Sequence, residues 1–96
     1  MNNILSLEFE FENKIYYSMV RIKQWENVRS YHITIMNSEL ARTLLGHNII
    51  LEKNGELVSE PEPVNKKTAK LKQAIVHALR NEMYGNESTQ LLSSTG

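Results

Sequence analysis

A chain of 96 residues supports one domain with a single two-layer core and excludes a second core. Hydrophobic residues at 41% and charged residues at 23% are the proportions of an ordinary globular protein, and the absence of cysteine excludes disulfides, thiolate metal sites and cysteine nucleophiles. Eleven basic residues balance eleven acidic ones, all of them glutamate, so any carboxylate chemistry falls to Glu.

At the N-terminus no Lys or Arg precedes the apolar residues, and charges interrupt them from Glu8 onward, which is not the pattern of a signal peptide. No apolar run approaches the roughly eighteen residues of a membrane span. The expectation is a soluble, cytoplasmic protein with no membrane partner.

From Ile4 to Lys23 the chain reads as a hairpin. Leu5, Leu7, Phe9 and Phe11 alternate with Ser6, Glu8, Glu10 and Glu12, the period-2 pattern of a strand with one buried face. A loop at Asn13-Lys14 sets Phe11 opposite Tyr16, Phe9 opposite Ser18, Leu7 opposite Val20 and Leu5 opposite Ile22. A one-residue slip of either strand would carry glutamates into the core at several kcal/mol per unpaired charge, roughly. Val28 to Met36, rich in β-branched and aromatic residues, reads as a third strand. Closing the second loop at Glu26-Asn27 puts Ile22 opposite Tyr31, Val20 opposite Ile33 and Ser18 opposite Ile35. The meander then has one apolar face, formed by Leu5, Leu7, Phe9, Phe11, Tyr16, Val20, Ile22, Tyr31, Ile33 and Ile35.

After Met36 the period changes. Asn37 or Ser38 suits an N-cap, Leu40, Leu44 and Leu45 give a short apolar stripe, and Gly46 is a stop, so a helix of about two turns is expected over 39–45. Asn54-Gly55 between Ile49-Ile50-Leu51 and Leu57-Val58 is a strong hairpin signal, which pairs Lys53 with Glu56 and Leu51 with Val58. Glu60-Pro61-Glu62-Pro63 cannot continue a ladder and is expected to be a stiff connector. A last helix spans about Lys66 to Met83, with Asn65 or Thr68 as cap and Gly85 as stop. Leu71, Ala74, Ile75, Ala78, Leu79 and Met83 share its apolar face, which the meander's apolar face should cover; Lys66, Lys70, Gln73, His77 and Arg80 share the opposite one. The fold class is therefore α+β, order β-β-β-α-β-β-α, an antiparallel sheet with the C-terminal helix across one face. Residues 1–85 form the single domain, and the polar stretch 86–96 is expected to be a loosely ordered tail.

Signals for catalysis are weak. His32, His47 and His77 have no metal-ligand spacing, Glu8, Glu10 and Glu12 are explained by a solvated strand that discourages aggregation, and no serine elbow or phosphate-cradling glycine loop occurs. No catalytic residue, metal site or cofactor is expected, and a small enzyme or ligand-binding domain is the third reading.

The meander's reverse face is mixed. Ile15, Tyr17, Met19, Thr34 and Met36 form a semi-apolar band beside Arg21 and His32, rimmed by glutamates, and a merely solvated face would be more uniformly polar. Either the 39–45 helix or the second hairpin folds over this band within the chain, or it is an interface. The favoured expectation is a non-catalytic interaction module that self-associates through Ile15, Tyr17, Met19, Arg21, His32, Thr34 and Met36, as a homo-oligomer or with another protein. The alternative is a nucleic-acid-binding accessory protein. Charge is uneven, with six basic and nine acidic residues in 1–62 but five and two in 63–96. Lys66, Lys70, His77 and Arg80 would be its anion-binding stripe, and Tyr17, Trp25 and Tyr31 its stacking groups. A neutral chain with a sequence pI near 6.8 and no nucleic-acid-binding motif weighs against it.

Overall fold

The computed structural model describes residues 3–58 and 65–85. Five strands, β1 (Asn3–Phe11), β2 (Lys14–Trp25), β3 (Val28–Ile35), β4 (Ile49–Lys53) and β5 (Glu56–Val58), form one antiparallel sheet in sequence order. The helix α1 (Ser38–Thr43) links β3 to β4, and α2 (Lys66–Arg80) packs on one face and continues as a wider, π-helical turn at Asn81–Gly85. This is the expected α+β order. The connector at 60–63 and the tail at 86–96 lie outside the described residues.

Three tight turns set the registers. At the first, Glu12 and Asn13 are both left-handed (φ +51° and +65°), the requirement of a two-residue type I′ hairpin. The loop is thus Glu12-Asn13 rather than Asn13-Lys14, and the pairing moves by two: Phe9 faces Tyr16, Leu7 faces Ser18, Leu5 faces Val20 and Phe11 faces Lys14. Because the shift is even, every side chain keeps its face. This register brings Phe9 and Tyr16 into a stack with ring centroids 5.8 Å apart. At the second turn Glu26 is left-handed, and the pairs Ile22–Tyr31, Val20–Ile33 and Ser18–Ile35 form as read from the sequence. Asn54 (φ +53°) and Gly55 (φ +81°) close the third, with Leu51 opposite Val58 and Lys53 opposite Glu56.

The inner face of the sheet is the core. Leu7, Phe9, Phe11, Val20, Tyr31, Ile33, Ile35 and Ile50 are buried there with Leu71, Ile75 and Leu79 of α2, and Leu5, Tyr16 and Ile22 pack at its margin. Ser18 is buried among them and donates its hydroxyl to the Leu7 carbonyl at 3.2 Å. Asn65 caps α2 by accepting from the Lys67 and Thr68 amides at 2.8 and 3.2 Å. The Thr68 hydroxyl then donates to the Thr43 carbonyl at 2.9 Å, tying the start of α2 to the end of α1.

The helix α1 is shorter than expected. Asn37 caps it by accepting from the Leu40 amide at 3.0 Å, but the Leu45 amide already bonds back to Arg42 at 3.1 Å and Gly46 turns the chain at φ +82°. Leu40 and Leu44 enter the core, whereas Leu45 is carried out to 79% exposure and does not belong to the apolar stripe.

Candidate interaction surface

Alternation along β1, β2 and β3 sends every second side chain to the face opposite α2. All seven residues of the expected interface lie there: Ile15, Tyr17, Met19 and Arg21 from β2, His32 and Thr34 from β3, and Met36 one residue beyond it. The Met36 amide donates to the Tyr17 carbonyl at 2.8 Å, which keeps Met36 in register with the sheet. Neither expected intramolecular cover is used. The second hairpin extends the sheet as β4 and β5, and α1 turns Leu40 and Leu44 into the core on the other side.

The band is consequently open. Ile15 is 52% exposed, Tyr17 61%, Met19 40% and Met36 66%. Two residues not anticipated from the sequence extend it: Ile4, paired with Arg21, and Ile49, paired with His32, both exposed. The pairing register places them there; alternation within the meander reaches neither the first residue before its apolar run nor a strand assigned to a separate hairpin. Ile4, Met19, Arg21, His32 and Thr34 line a hollow of about 230 Å³. Scattered exposed apolar residues are normal; here they gather on one face, contributed by β1, β2, the end of β3 and β4.

Rows across the outer face follow from the registers. Glu10 pairs with Ile15, Glu8 with Tyr17, Ser6 with Met19 and then Thr34, Ile4 with Arg21, His32 and Ile49, and Lys23 with Ser30 and Leu51. Within β1 and β2, acidic side chains therefore lie at one end and basic ones at the other, with the Met19 row between; a further row of Trp25, Val28, Lys53 and Glu56 follows at the basic end. His32 adds no third cation near neutral pH. Burial first, and then the charges of Lys23 and Arg21, hold its imidazole below its ordinary value, and its Nε2 lies 2.9 Å from the hydroxyl of buried Ser30.

The basic stripe is also formed. Lys66, Lys70, His77 and Arg80 are exposed along α2, on the side away from Leu71, Ile75 and Leu79, and the Asn81 side-chain amide lies 3.3 Å from His77 Nε2. The stacking groups assigned to it are elsewhere. Tyr31 is fully buried, donating to Glu52 at 2.5 Å, with its phenol pushed up to about 12 by burial and that bond against the opposing effect of Arg29. Tyr17 and Trp25 are exposed, but on the sheet face opposite the helix. The helix cations and the exposed aromatic rings thus occupy two sides of the molecule, Tyr17 and Trp25 sharing theirs with Arg21 and Lys23 instead.

Lys72 departs from the helix pattern. The periodicity assigns it to neither face, yet it is only 2% exposed and its Nζ finds no hydrogen-bond partner among the described residues. Burial pulls its pKa down. His32, His47 and His77 sit on β3, in the loop after α1 and on α2, and among the described residues no three His or Glu side chains gather as metal ligands. No helix among those residues is long and apolar enough to cross a membrane.

Set against known proteins, the chain matches no family model, no curated protein and no solved structure.

Proposed function

We propose that this protein is a small interaction module that works by associating with itself through the outer face of its sheet. The observation that carries this reading is the exposed band of Ile15, Tyr17, Met19 and Met36 on a sheet whose opposite face is buried in the core with α1 and α2. Leaving such a band in water forgoes about 25 cal/mol for each Å² of apolar surface, which a second sheet packed about 10 Å away recovers. Four strands and five rows give a flat footprint on the order of 500 Å² per copy from standard strand spacings. That is below the roughly 800 Å² per partner of a standard interface and suits a reversible, micromolar association.

Met19 lies in the middle row, so a charge placed there would be buried unpaired between two copies and exposed within one. Met19→Glu is expected to weaken association by about a hundredfold or more while leaving the fold intact. Light scattering at high micromolar concentration, with circular dichroism as the fold control, checks it. A monomeric wild type overturns self-association. An unfolded variant would mean that the band is covered within the chain.

The second reading, an anionic partner such as nucleic acid, is supported by the exposed Lys66, Lys70, His77 and Arg80 stripe and weakened by its separation from the exposed aromatics. A Lys66→Gln, Lys70→Gln, Arg80→Gln variant separates the two readings, because self-association through the sheet should be unchanged in it.

A further inference from the structure

Two sheets packed face to face in the aligned class keep their strands within about 30° of each other, and a self-associating pair of that class has two choices of direction for a two-fold axis in the interface plane. With the axis along the strands, β2 lies over β2 row for row, and Arg21 and Lys23 meet their own copies. With the axis across the strands, through the Met19 row, the rows on one side of Met19 lie over the rows on the other. Charge decides between them. Glu8 and Glu10 occupy the rows on one side of Met19, and Arg21 and Lys23 the equivalent rows on the other. All four are exposed.

Resting on the self-association reading above, we infer that the two copies meet about a two-fold axis running across the strands, so that Arg21 and Lys23 of each copy lie beside Glu8 and Glu10 of the other. In that arrangement Arg21 covers the partner's Tyr17, one strand spacing, about 4.8 Å, from the partner's Glu8. Lys23 covers the partner's Ile15 next to the partner's Glu10. His32, kept neutral, lies over the partner's Met36. The long stems of Arg21 and Lys23 pack on the apolar band while their charged ends reach the acidic rim. The segregation of acids to β1 and bases to β2 at opposite ends is thereby a device of orientation: the alternative axis is disfavoured by stacked like charges.

A complementation experiment tests the axis separately from the association itself. One variant carries Glu8→Lys and Glu10→Lys, the other Arg21→Glu and Lys23→Glu, and each is expected to self-associate about tenfold or more weakly than wild type. Mixed in equal amounts they should form a heterodimer of roughly wild-type strength, read by sedimentation equilibrium with one variant labelled. A wild type that dimerises while both variants dimerise equally well, or while the mixture fails to pair, overturns the axis and leaves self-association standing. A wild type that stays monomeric overturns both. Salt gives a second readout without substitutions, in case a variant fails to fold. The wild-type dimer should weaken between low and high ionic strength, and a dimer that strengthens would mean that like charges face each other.

Discussion

The two faces of the β1-β2-β3 meander are built from alternate residues of the same strands, and they differ in what covers them. Inward, Phe9, Val20, Tyr31 and Ile33 are buried in one core with Leu40 and Leu44 and with Leu71, Ile75 and Leu79 of α2; outward, Ile15, Tyr17, Met19 and Met36 are exposed. Burial does not follow hydrophobicity alone, since isoleucine and tyrosine occur on both sides. What separates them is the presence of a partner element. Among the described residues the inner face has one in the helices, and the outer face has none.

The largest expected contrast follows directly. Phe9 is buried on the inner face, on the edge strand β1 beside α2, and stacks on Tyr16. Phe9→Ala should cost about 3 to 5 kcal/mol. Thr34→Ala on the outer face should cost under about 0.5 kcal/mol, measured by urea unfolding at a concentration where the protein is monomeric. Similar losses at the two sites would erase the distinction between the faces.

Lys72 sharpens the comparison from the helix side, as a charged group on the sealed face. Its pKa is lowered by burial, so the unfolded chain binds a proton that the folded chain holds less tightly. Stability should therefore rise with pH as the unfolded lysine's ordinary value of 10.5 is approached from below. At neutral pH an ammonium buried without a hydrogen-bond partner among the described residues is a burden, and Lys72→Met is expected to stabilise the fold by roughly 1 to 3 kcal/mol and to remove that rise. Thermal unfolding at pH 7 and pH 9.5 checks both; a destabilised variant would show that the ammonium has found a partner.

A smaller effect is expected at the first turn. Glu12 holds a left-handed conformation at φ +51°, which costs a side-chain-bearing residue on the order of 1 kcal/mol and glycine almost nothing. Glu12→Gly should be stabilising by up to about 1 kcal/mol in the same denaturation series. A loss of stability would favour the neighbouring loop at Asn13-Lys14.

That turn shows where the sequence is legible and where it is not. Alternation in β1 assigns each side chain to its face, but two registers that differ by two residues satisfy it equally. Only the backbone conformation of Glu12 and Asn13 separates them. At Asn54-Gly55 the turn residues themselves specify the loop, and the pairing is readable in full. The outer band was legible for the same reason as the core, because face assignment survives the register shift. Its openness was not, since neither α1 nor the second hairpin carries a residue pattern that says on which side it packs. Ile49 joined the band only through the pairing of β4 with β3. Lys72 was illegible because a helical wheel scores lysine as polar, while its four-carbon stem lets it lie along the boundary of the apolar face.

The methionines provide the most direct test of the claim that copies meet through the outer face, because Met19 and Met36 lie on it and Met83 packs against the core. Methyl NMR spectra of methionine-labelled protein would be recorded from about 1 mM down to about 10 µM, a span that brackets a micromolar dissociation constant. The Met19 and Met36 methyl resonances are expected to move together along one binding curve while Met83 stays fixed. Resonances of Met19 and Met36 that do not change with dilution, or a Met83 resonance that moves in their place, would contradict self-association through this face.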